Sequence, residues 1–230
     1  MTDFVFPPPV QPGVAVSGSR GRFPVHRIYC VGLNYADHIK ETGADPKAPP
    51  VFFMKPADAV VGDGEGIAYP PLTMNFHYEV ELVVALGAGG SDIDPTDALT
   101  RVFGYAVGND LTRRDLQRAA KDRGQPWDIA KGFDRSAPIG AIRPASAGHI
   151  AHGRIWLKLN GELRQDSDVG QLVMDVPHTI AALSRLYRLE AGDLIFTGTP
   201  SGVGPLKVGD RIECAIEGLD LLHNHIVAAS

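Results

Sequence analysis

The sequence lacks the features of a membrane-spanning, exported or nucleic-acid-binding chain. No apolar run approaches the ~20 residues that a spanning helix needs. Residues 1–3 carry an acid, where a signal peptide would have a basic region followed by an apolar one. Of the 230 residues, 27 are acidic and 22 are basic, so the formal charge is −5, and no basic run is present. We therefore expect a cytoplasmic protein that binds neither membranes nor nucleic acid.

Cysteine is scarce. The two that occur, Cys30 and Cys214, each lie in an apolar, strand-like run, RIYCVG and RIECAIEG. This setting predicts buried free thiols of a cytosolic protein and not a disulfide framework. The spacing alone leaves open a bond that joins the two ends of the chain.

Glycine and proline are abundant, with 26 and 18 residues, which predicts many turns, short strands and few long helices. Residues 1–26 are rich in both and are predicted to form an N-terminal arm over a single domain at 27–230. Strand patterns dominate without βαβ alternation, so we expect an α+β, mainly β fold. Asn160-Gly161 predicts a type I′ hairpin turn.

Three helices are predicted, besides a short helix candidate at 97–101 after Pro95. The first is short, capped by Asn34 and ending near Glu41, where the Pro- and Gly-rich stretch 43–50 breaks it. The second covers about 113–123, with Thr112 or Asp110 as its cap, and the third covers about 177–187. An apolar run at 77–86 predicts one long strand.

Three acids near this strand suggest a cation site. Glu79 and Glu81 are two apart, so both project from one strand face, and Asp110 ends another apolar strand. Two like charges on one face repel each other, and a divalent cation such as Mg²⁺, Mn²⁺ or Ca²⁺ would relieve this. The alternative is an exposed strand face and a simple helix cap. His77 shares the face of Glu79 and could be a fourth ligand or a neighbour of the site.

His38 and Glu41 are three apart, on one face of the first predicted helix. A carboxylate beside an imidazole fixes its tautomer and raises its basicity, which suits activation of water. An ordinary surface pair at the helix end has the same spacing.

Several cationic and polar residues could hold an anion. Lys131 is predicted in a loop next to glycine, and Arg114 and Gln117 are three apart on the second predicted helix. The loop TGTPSGVGP at 197–205 offers backbone N–H groups and Thr199. It lacks the pattern of a nucleotide-binding loop. An exposed loop cation, a solvated helix face and a tight turn are the alternatives.

Taken in order, these segments resemble the fumarylacetoacetate hydrolase family in its short, single-domain form. The matching segments are YCVGLNYADHIKE (29–41), FFMKPADAV (52–60), HYEVELVVALG (77–87), GYAVGNDLTRRDLQ (104–117), PWDIAKGFDRSAPIG (126–140), WLKLNGELRQD (156–166) and DLIFTGTPSGVGPLKVGD (193–210). Within the family the chain is most similar to the bacterial fumarylpyruvate hydrolases of gentisate degradation, and next to the acylpyruvases.

The resemblance implies a mixed β-sandwich roll that forms a homodimer and takes a small 2-oxo acid. It implies residues 27–230 as the catalytic domain and Mg²⁺ or Mn²⁺ as the cofactor. Residue by residue, it implies metal ligands (Glu79, Glu81, Asp110), catalytic residues (His38, Glu41, Lys131) and substrate contacts (Arg114, Gln117, Thr199).

The expected reaction is hydrolysis of a 2,4-dioxo acid, most simply fumarylpyruvate to fumarate and pyruvate, by a hydrolase acting on carbon–carbon bonds. His38, oriented by Glu41, would activate the water and Lys131 would stabilise the alkoxide. The helix that carries His38 is expected to act as a lid.

Two other functions remain. One is decarboxylation of oxaloacetate, or decarboxylation and isomerisation of a related 2-oxo dioate, which uses the same enolate chemistry but needs no activated water. The other is a non-catalytic protein that binds a 2-oxo acid through a metal. The His38–Glu41 pair and Lys131 favour the hydrolase.

Overall fold

Short strands account for most of the secondary structure in a computed structural model of the chain, which describes residues 4–43, 45 and 51–229. In chain order the strands are β1 (Gly13–Ala15), β2 (Arg22–Pro24), β3 (Ile28–Gly32), β4 (Val51–Lys55), β5 (Val60–Val61), β6 (Gly66–Ala68), β7 (Phe76–Tyr78), β8 (Val80–Leu86), β9 (Val102–Asn109), β10 (Thr112–Arg113), β11 (Ala137–Pro138), β12 (Arg143–Pro144), β13 (Arg154–Leu159), β14 (Glu162–Asp168), β15 (Leu194–Phe196), β16 (Gly204–Pro205), β17 (Arg211–Ile216) and β18 (Leu222–Val227).

The helices of the described residues are few and short. They are α1 (Ala36–Thr42), α2 (Pro95–Ala98), α3 (Arg114–Asp122), α4 (Asp128–Lys131) and α5 (Val176–Leu186). None of the helices in these ranges is long and apolar enough to cross a membrane. The predicted α+β, mainly β class is therefore confirmed.

Two large sheets form the body of the domain. The first has the strand order β12-β9-β8-β15-β3-β4, and the second has the order β14-β13-β17-β18-β6. Leu82 and Val84 of β8 share one core cluster with Ile155 and Leu157 of β13. The two sheets therefore pack face to face, as the expected β-sandwich requires.

The other face of the six-stranded sheet is also covered. Val83 of β8 and Phe196 of β15 lie in a second core cluster with Val14, Phe23 and Ile142. Val14 and Phe23 belong to β1 and β2, an antiparallel pair within the predicted N-terminal arm. Because both faces of β8 are covered, all seven of its residues are buried, including Glu81.

The single strand predicted over 77–86 is wrong. β7 ends at Tyr78, β8 begins at Val80, and Glu79 lies between them. β7 pairs with β10 and β16 in a small three-stranded sheet, whereas β8 pairs with β9 and β15. The apolar pattern runs through both strands, but their pairing partners differ, and no local sequence signal reports this.

The predicted cap of α1 is also wrong. The residue at the N-cap is Tyr35, which makes no capping bond through its side chain. The Asn34 amide instead donates to the carbonyl oxygens of Met174 and Thr197, at 2.9 and 2.8 Å, and its oxygen accepts from the Met174 N–H. Asn34 thus ties the start of α1 to two distant segments.

The cap of α3 differs from the prediction as well. Arg113 occupies the N-cap, without a capping bond from its side chain. The Thr112 hydroxyl donates to the Asp110 carbonyl oxygen at 2.9 Å, so neither predicted residue caps the helix through its side chain.

The first helix, α1, ends where expected, at the left-handed Gly43. Residues 44 and 46–50 of the predicted helix-breaking stretch lie outside the described residues.

Two local predictions are confirmed. Asn160 and Gly161, with φ of 54° and 84°, connect the antiparallel strands β13 and β14 in the left-handed conformation that a type I′ turn needs. Cys30 and Cys214 are both buried free thiols.

Candidate metal and catalytic site

The three predicted acids converge at one point of the fold. Glu79 lies between β7 and β8, Glu81 lies on β8, and Asp110 follows the last residue of β9. One carboxylate oxygen from each lies within 4.8 Å of the others, and all three residues are buried. They therefore do not lie on a solvent-exposed strand face.

Backbone and side-chain hydrogen bonds hold the acids in place. The Asp110 N–H donates to the Glu79 carbonyl oxygen at 2.8 Å, and the Asn109 side chain accepts from the Glu79 N–H at 2.8 Å. At Glu81, the carboxylate accepts from the Gly198 N–H at 2.8 Å. The segment 197–205 thus contributes a backbone donor to the acids, as its sequence suggested.

Three buried or nearly buried cations face this cluster. The Lys131 ammonium lies 2.7 Å from Glu79 and 2.6 Å from Asp110. The Lys55 ammonium lies 2.8 Å from the other Asp110 oxygen, and the Arg114 guanidinium pairs with Glu79. Among the described residues, no cation pairs with Glu81.

The pKa values follow these partners. Burial and the neighbouring acids Asp110 and Glu79 raise the pKa of Glu81 well above its ordinary value. Burial opposes ionisation of Glu79, but the charges of Lys131 and Arg114 outweigh it and lower its pKa. Burial also works against the charge of Lys131, yet the two acids raise its pKa. In the described part of the chain, Glu81 is therefore the one acid of the three that has no cation at ion-pair distance.

This donor set fits a hard divalent cation. Carboxylate oxygens are the ligands that Mg²⁺ and Mn²⁺ prefer, and the three acids converge within reach of one ion. Asp110 Oδ1 accepts no hydrogen bond of ordinary geometry from the residues that the structure describes, although the Lys55 ammonium is close to it. A cation would satisfy this oxygen and supply the positive charge that Glu81 lacks.

His77 is not part of the group of candidate metal ligands. Its ring faces Asn75, and burial followed by the Arg114 charge lowers its pKa to about 4.

The predicted dyad forms at the edge of the same site. His38 Nδ1 lies 2.8 Å from Glu41 Oε2, and His38 is buried. The other Glu41 oxygen accepts from the Gly202 N–H at 3.0 Å. Glu41 therefore connects α1 to the loop at 197–205. Because Glu41 lies against Nδ1 of His38, the other ring nitrogen, Nε2, takes no part in this pair.

Arg114 and Gln117 lie together on α3, as their spacing predicted, and the guanidinium donates to the Gln117 oxygen at 2.6 Å. The neighbouring Arg113 points elsewhere. Its guanidinium lies 4.4 Å from the centroid of the Phe133 ring. Of the two arginines, only Arg114 reaches the acids.

Thr199 is buried, and its hydroxyl oxygen accepts from the Gln165 amide at 2.8 Å. Its hydroxyl hydrogen has no acceptor among the described residues, so it stays available to a ligand. Lys131 is not in an exposed loop. It is the last residue of α4 and its side chain is almost fully buried.

Sequence reasoning missed Lys55 and Gln165. Lys55 ends the apolar strand β4, and its ammonium donates to the carbonyl oxygens of Leu111 and Lys131 as well as pairing with Asp110. A lysine that closes an apolar run was the available signal, because a buried lysine requires partners. Gln165 lies in a polar strand and carried no such signal.

The site encloses a cavity of about 20 Å³, which is roughly the space of one water. Its lining includes His38, Glu79, Asp110, Arg114 and Lys131. A larger groove of about 810 Å³ lies on the five-stranded sheet, but none of the predicted site residues line it. We place the site at the smaller cavity because the acids, cations and dyad meet there.

Comparison with known proteins agrees with this geometry. The model of the fumarylacetoacetate (FAA) hydrolase C-terminal family matches residues 27–227. The crystal structure of fumarylpyruvate hydrolase from Pseudomonas aeruginosa in complex with Mn²⁺ and pyruvate superposes with a TM-score of 0.97, at 50% identity over 99% of this chain and 100% of that one.

Curated relatives are named for a different reaction. The mitochondrial oxaloacetate tautomerase FAHD1 of Mus musculus is 44% identical over 193 residues, which are 84% of this chain and 87% of that protein. The mitochondrial oxaloacetate decarboxylase of Dictyostelium discoideum is 41% identical over 196 residues, 84% of this chain and 90% of that protein. The chain belongs to the fumarylacetoacetate hydrolase family.

Proposed function

We propose that this protein is a metal-dependent hydrolase that cleaves a carbon–carbon bond of a 2,4-dioxo acid, with fumarylpyruvate as substrate and fumarate and pyruvate as products. One observation carries the proposal: the His38–Glu41 pair, a buried lysine and the three acids line or adjoin one cavity. The similar Pseudomonas aeruginosa structure, named for this activity, supports the choice of substrate.

Glu79, Glu81 and Asp110 are the residues that would hold the cation. When bound, Mg²⁺ or Mn²⁺ supplies open positions for the 2-oxo-carboxylate end of the substrate and positive charge for the departing pyruvate. All three ligands lie within 27–230, the proposed catalytic domain, and the arm at 1–26 provides none of them.

His38 is the proposed general base. Its Nδ1 is engaged by Glu41, so Nε2 is the atom that takes a proton from water. The water oxygen adds to the C4 carbonyl carbon, the C3–C4 bond breaks, and its electron pair leaves with the pyruvate half. The proton held at Nε2 is then available to C3, which balances the reaction.

Lys131 and Thr199 are the proposed donors that stabilise negative charge on the C4 oxygen. Both line the cavity. Lys131 offers a buried ammonium, and Thr199 offers a hydroxyl hydrogen that no acceptor among the described residues binds. Donors that are fixed before the reaction need little reorganisation as charge develops. Arg114 and Gln117, joined to each other, are the proposed contacts for the substrate carboxylate.

A pyruvate-release assay tests the proposal. We expect turnover of fumarylpyruvate with Mg²⁺ or Mn²⁺, loss of turnover with EDTA, and a fall in kcat of roughly 10²–10⁴-fold in His38→Ala. His178→Ala is the matched control, because His178 pairs with Asp175 at the same spacing but is exposed. Wild-type kcat in His38→Ala would refute the dyad role.

Oxaloacetate tautomerisation or decarboxylation is the second candidate, because the two curated relatives are named for these reactions. Each passes through an enolate, which the same cation and Lys131 would stabilise. The assay therefore includes acetylpyruvate and oxaloacetate. A kcat/KM for oxaloacetate above that for fumarylpyruvate would select this candidate, and binding without turnover of any substrate would indicate a non-catalytic 2-oxo acid binding protein.

A further inference from the structure

Lys121 is a cation of the cavity that the proposed chemistry does not use. It lies on α3, four residues after Gln117 and seven after Arg114, and therefore on the same helix face. All three residues line the cavity. The Lys121 side chain lies over the Trp127 ring, with its ammonium 4.9 Å from the ring centroid.

The Trp127 ring is itself fixed. Its centroid lies 5.7 Å from that of Phe53, and a Cβ at Gly32 would lie 3.2 Å from one of its ring carbons. The lack of a side chain at Gly32 therefore lets the indole pack closely on β3. The Lys131 ammonium lies over the Phe53 ring, 5.1 Å from its centroid. The two lysines therefore lie over two adjacent aromatic rings, those of Phe53 and Trp127.

The lysines differ in their countercharges. Lys131 pairs with Glu79 and Asp110, and Arg114 pairs with Glu79. For Lys121, no acid within the described ranges lies at ion-pair distance. Burial, followed by the charges of Arg114 and Lys131, lowers the pKa of Lys121. An anion beside Lys121 would relieve this repulsion.

We propose that Lys121, held over the Trp127 ring, binds a second carboxylate of the substrate. The protein then prefers 2-oxo acids whose chain ends in a carboxylate over those that end in an alkyl group. This inference rests on the proposed function in one respect, namely that the 2-oxo-carboxylate end lies at the acid cluster. Fumarylpyruvate carries such a second carboxylate and acetylpyruvate does not.

The expected contribution is moderate, because Lys121 is partly exposed and solvent screens the pair. We expect a preference of about fivefold, or about 1 kcal/mol, at the upper end for a solvent-exposed ion pair. The Trp127 face adds to this by holding the ammonium in place, so that less side-chain freedom is lost on binding.

Two non-cleavable ligands of equal chain length test the proposal. Isothermal titration of the Mn²⁺-loaded protein would compare 2-oxoheptanedioate with 2-oxoheptanoate. We expect the wild-type protein to bind the diacid about fivefold more tightly. In Lys121→Met this preference is lost while affinity for the monoacid is unchanged, and Lys121→Arg retains most of it. Arg118→Met, which removes an exposed charge from the same helix, should keep the wild-type preference.

Neither ligand can be hydrolysed at C3–C4, so the result is independent of turnover. Equal affinity of wild-type protein for the two ligands, or an undiminished preference in Lys121→Met, would overturn the proposal even in an active hydrolase. A diacid preference that depends on Lys121, in a protein that releases no pyruvate from fumarylpyruvate, would support the subsite and reject the hydrolase.

Discussion

Lys131 neutralises part of the buried negative charge of the three acids. We therefore expect the thermal stability of Lys131→Met to depend on bound metal. Lys131 is almost fully buried, and its ammonium lies within 2.7 Å of both Glu79 and Asp110. Methionine keeps the approximate length of the side chain and removes the charge. The variant therefore leaves the three acids with less countercharge in a site that water hardly reaches.

The magnitude follows from the partners that remain. Removing one partner of a buried ion pair costs about 3–5 kcal/mol. Lys55 still faces Asp110 and Arg114 still faces Glu79, so we expect the lower end, about 3 kcal/mol in the absence of metal. For a chain of this size each kcal/mol shifts Tm by about 2–4 °C, which gives a fall of roughly 6–12 °C.

Thermal unfolding in EDTA and in saturating Mn²⁺ measures the effect. We expect Mn²⁺ to raise the Tm of Lys131→Met by more than it raises that of the wild type, because the cation replaces the missing charge. Lys40→Met is the matched control. Lys40 pairs with Asp37 on the surface, and its removal should leave Tm and its metal response unchanged. A loss below about 1 kcal/mol in EDTA, or a metal response equal to that of wild type, would refute this account of the site.

Three further predictions concern the residues around the site. Glu41→Gln should lower kcat by roughly 10²-fold with unchanged Mn²⁺ affinity by titration, because Glu41 contacts His38 and not the acids; weakened metal binding would contradict this. Gly108→Ala should destabilise the protein by about 1–3 kcal/mol in urea unfolding, since the added Cβ would lie 2.6 Å from a Phe196 ring carbon; unchanged stability would contradict it. At Asp115, burial opposes ionisation, but hydrogen bonds from Thr73 and the Met74 N–H lower the pKa. This stabilisation is present above the unfolded pKa of about 3.9 and is lost as pH falls through the lower folded value, so Asp115→Asn should destabilise at neutral pH but not in strong acid. A pH-independent difference would contradict the assignment.

Features that depend on neighbouring residues could be predicted from the sequence. The Asn160-Gly161 hairpin follows from two adjacent residues that tolerate positive φ. Helical spacing placed His38 beside Glu41 and Arg114 beside Gln117, and both pairs form hydrogen bonds. In each case the interacting groups are separated by at most one helical turn.

Features that depend on strand pairing could not be predicted. The pattern at 77–86 could not show that the chain changes sheets at Glu79, because β7 and β8 acquire different partners from distant segments. Asn34 has a residue type that suits a helix cap, yet its amide donates to Thr197, 163 positions away. A local preference was overridden by buried carbonyl groups that needed a donor.

The sequence by itself determined the mainly β class, the acids and cations, and the local pairs, because residue chemistry and short-range spacing set these. Only the tertiary structure brought Glu79, Glu81 and Asp110 within 4.8 Å of one another and placed Lys55 against Asp110. Within the described residues, it alone left Glu81 without a paired cation, and it put Lys121 in the cavity. These features arise where separate strands and helices meet, so burial and charge there are properties of the packed domain and not of any one segment.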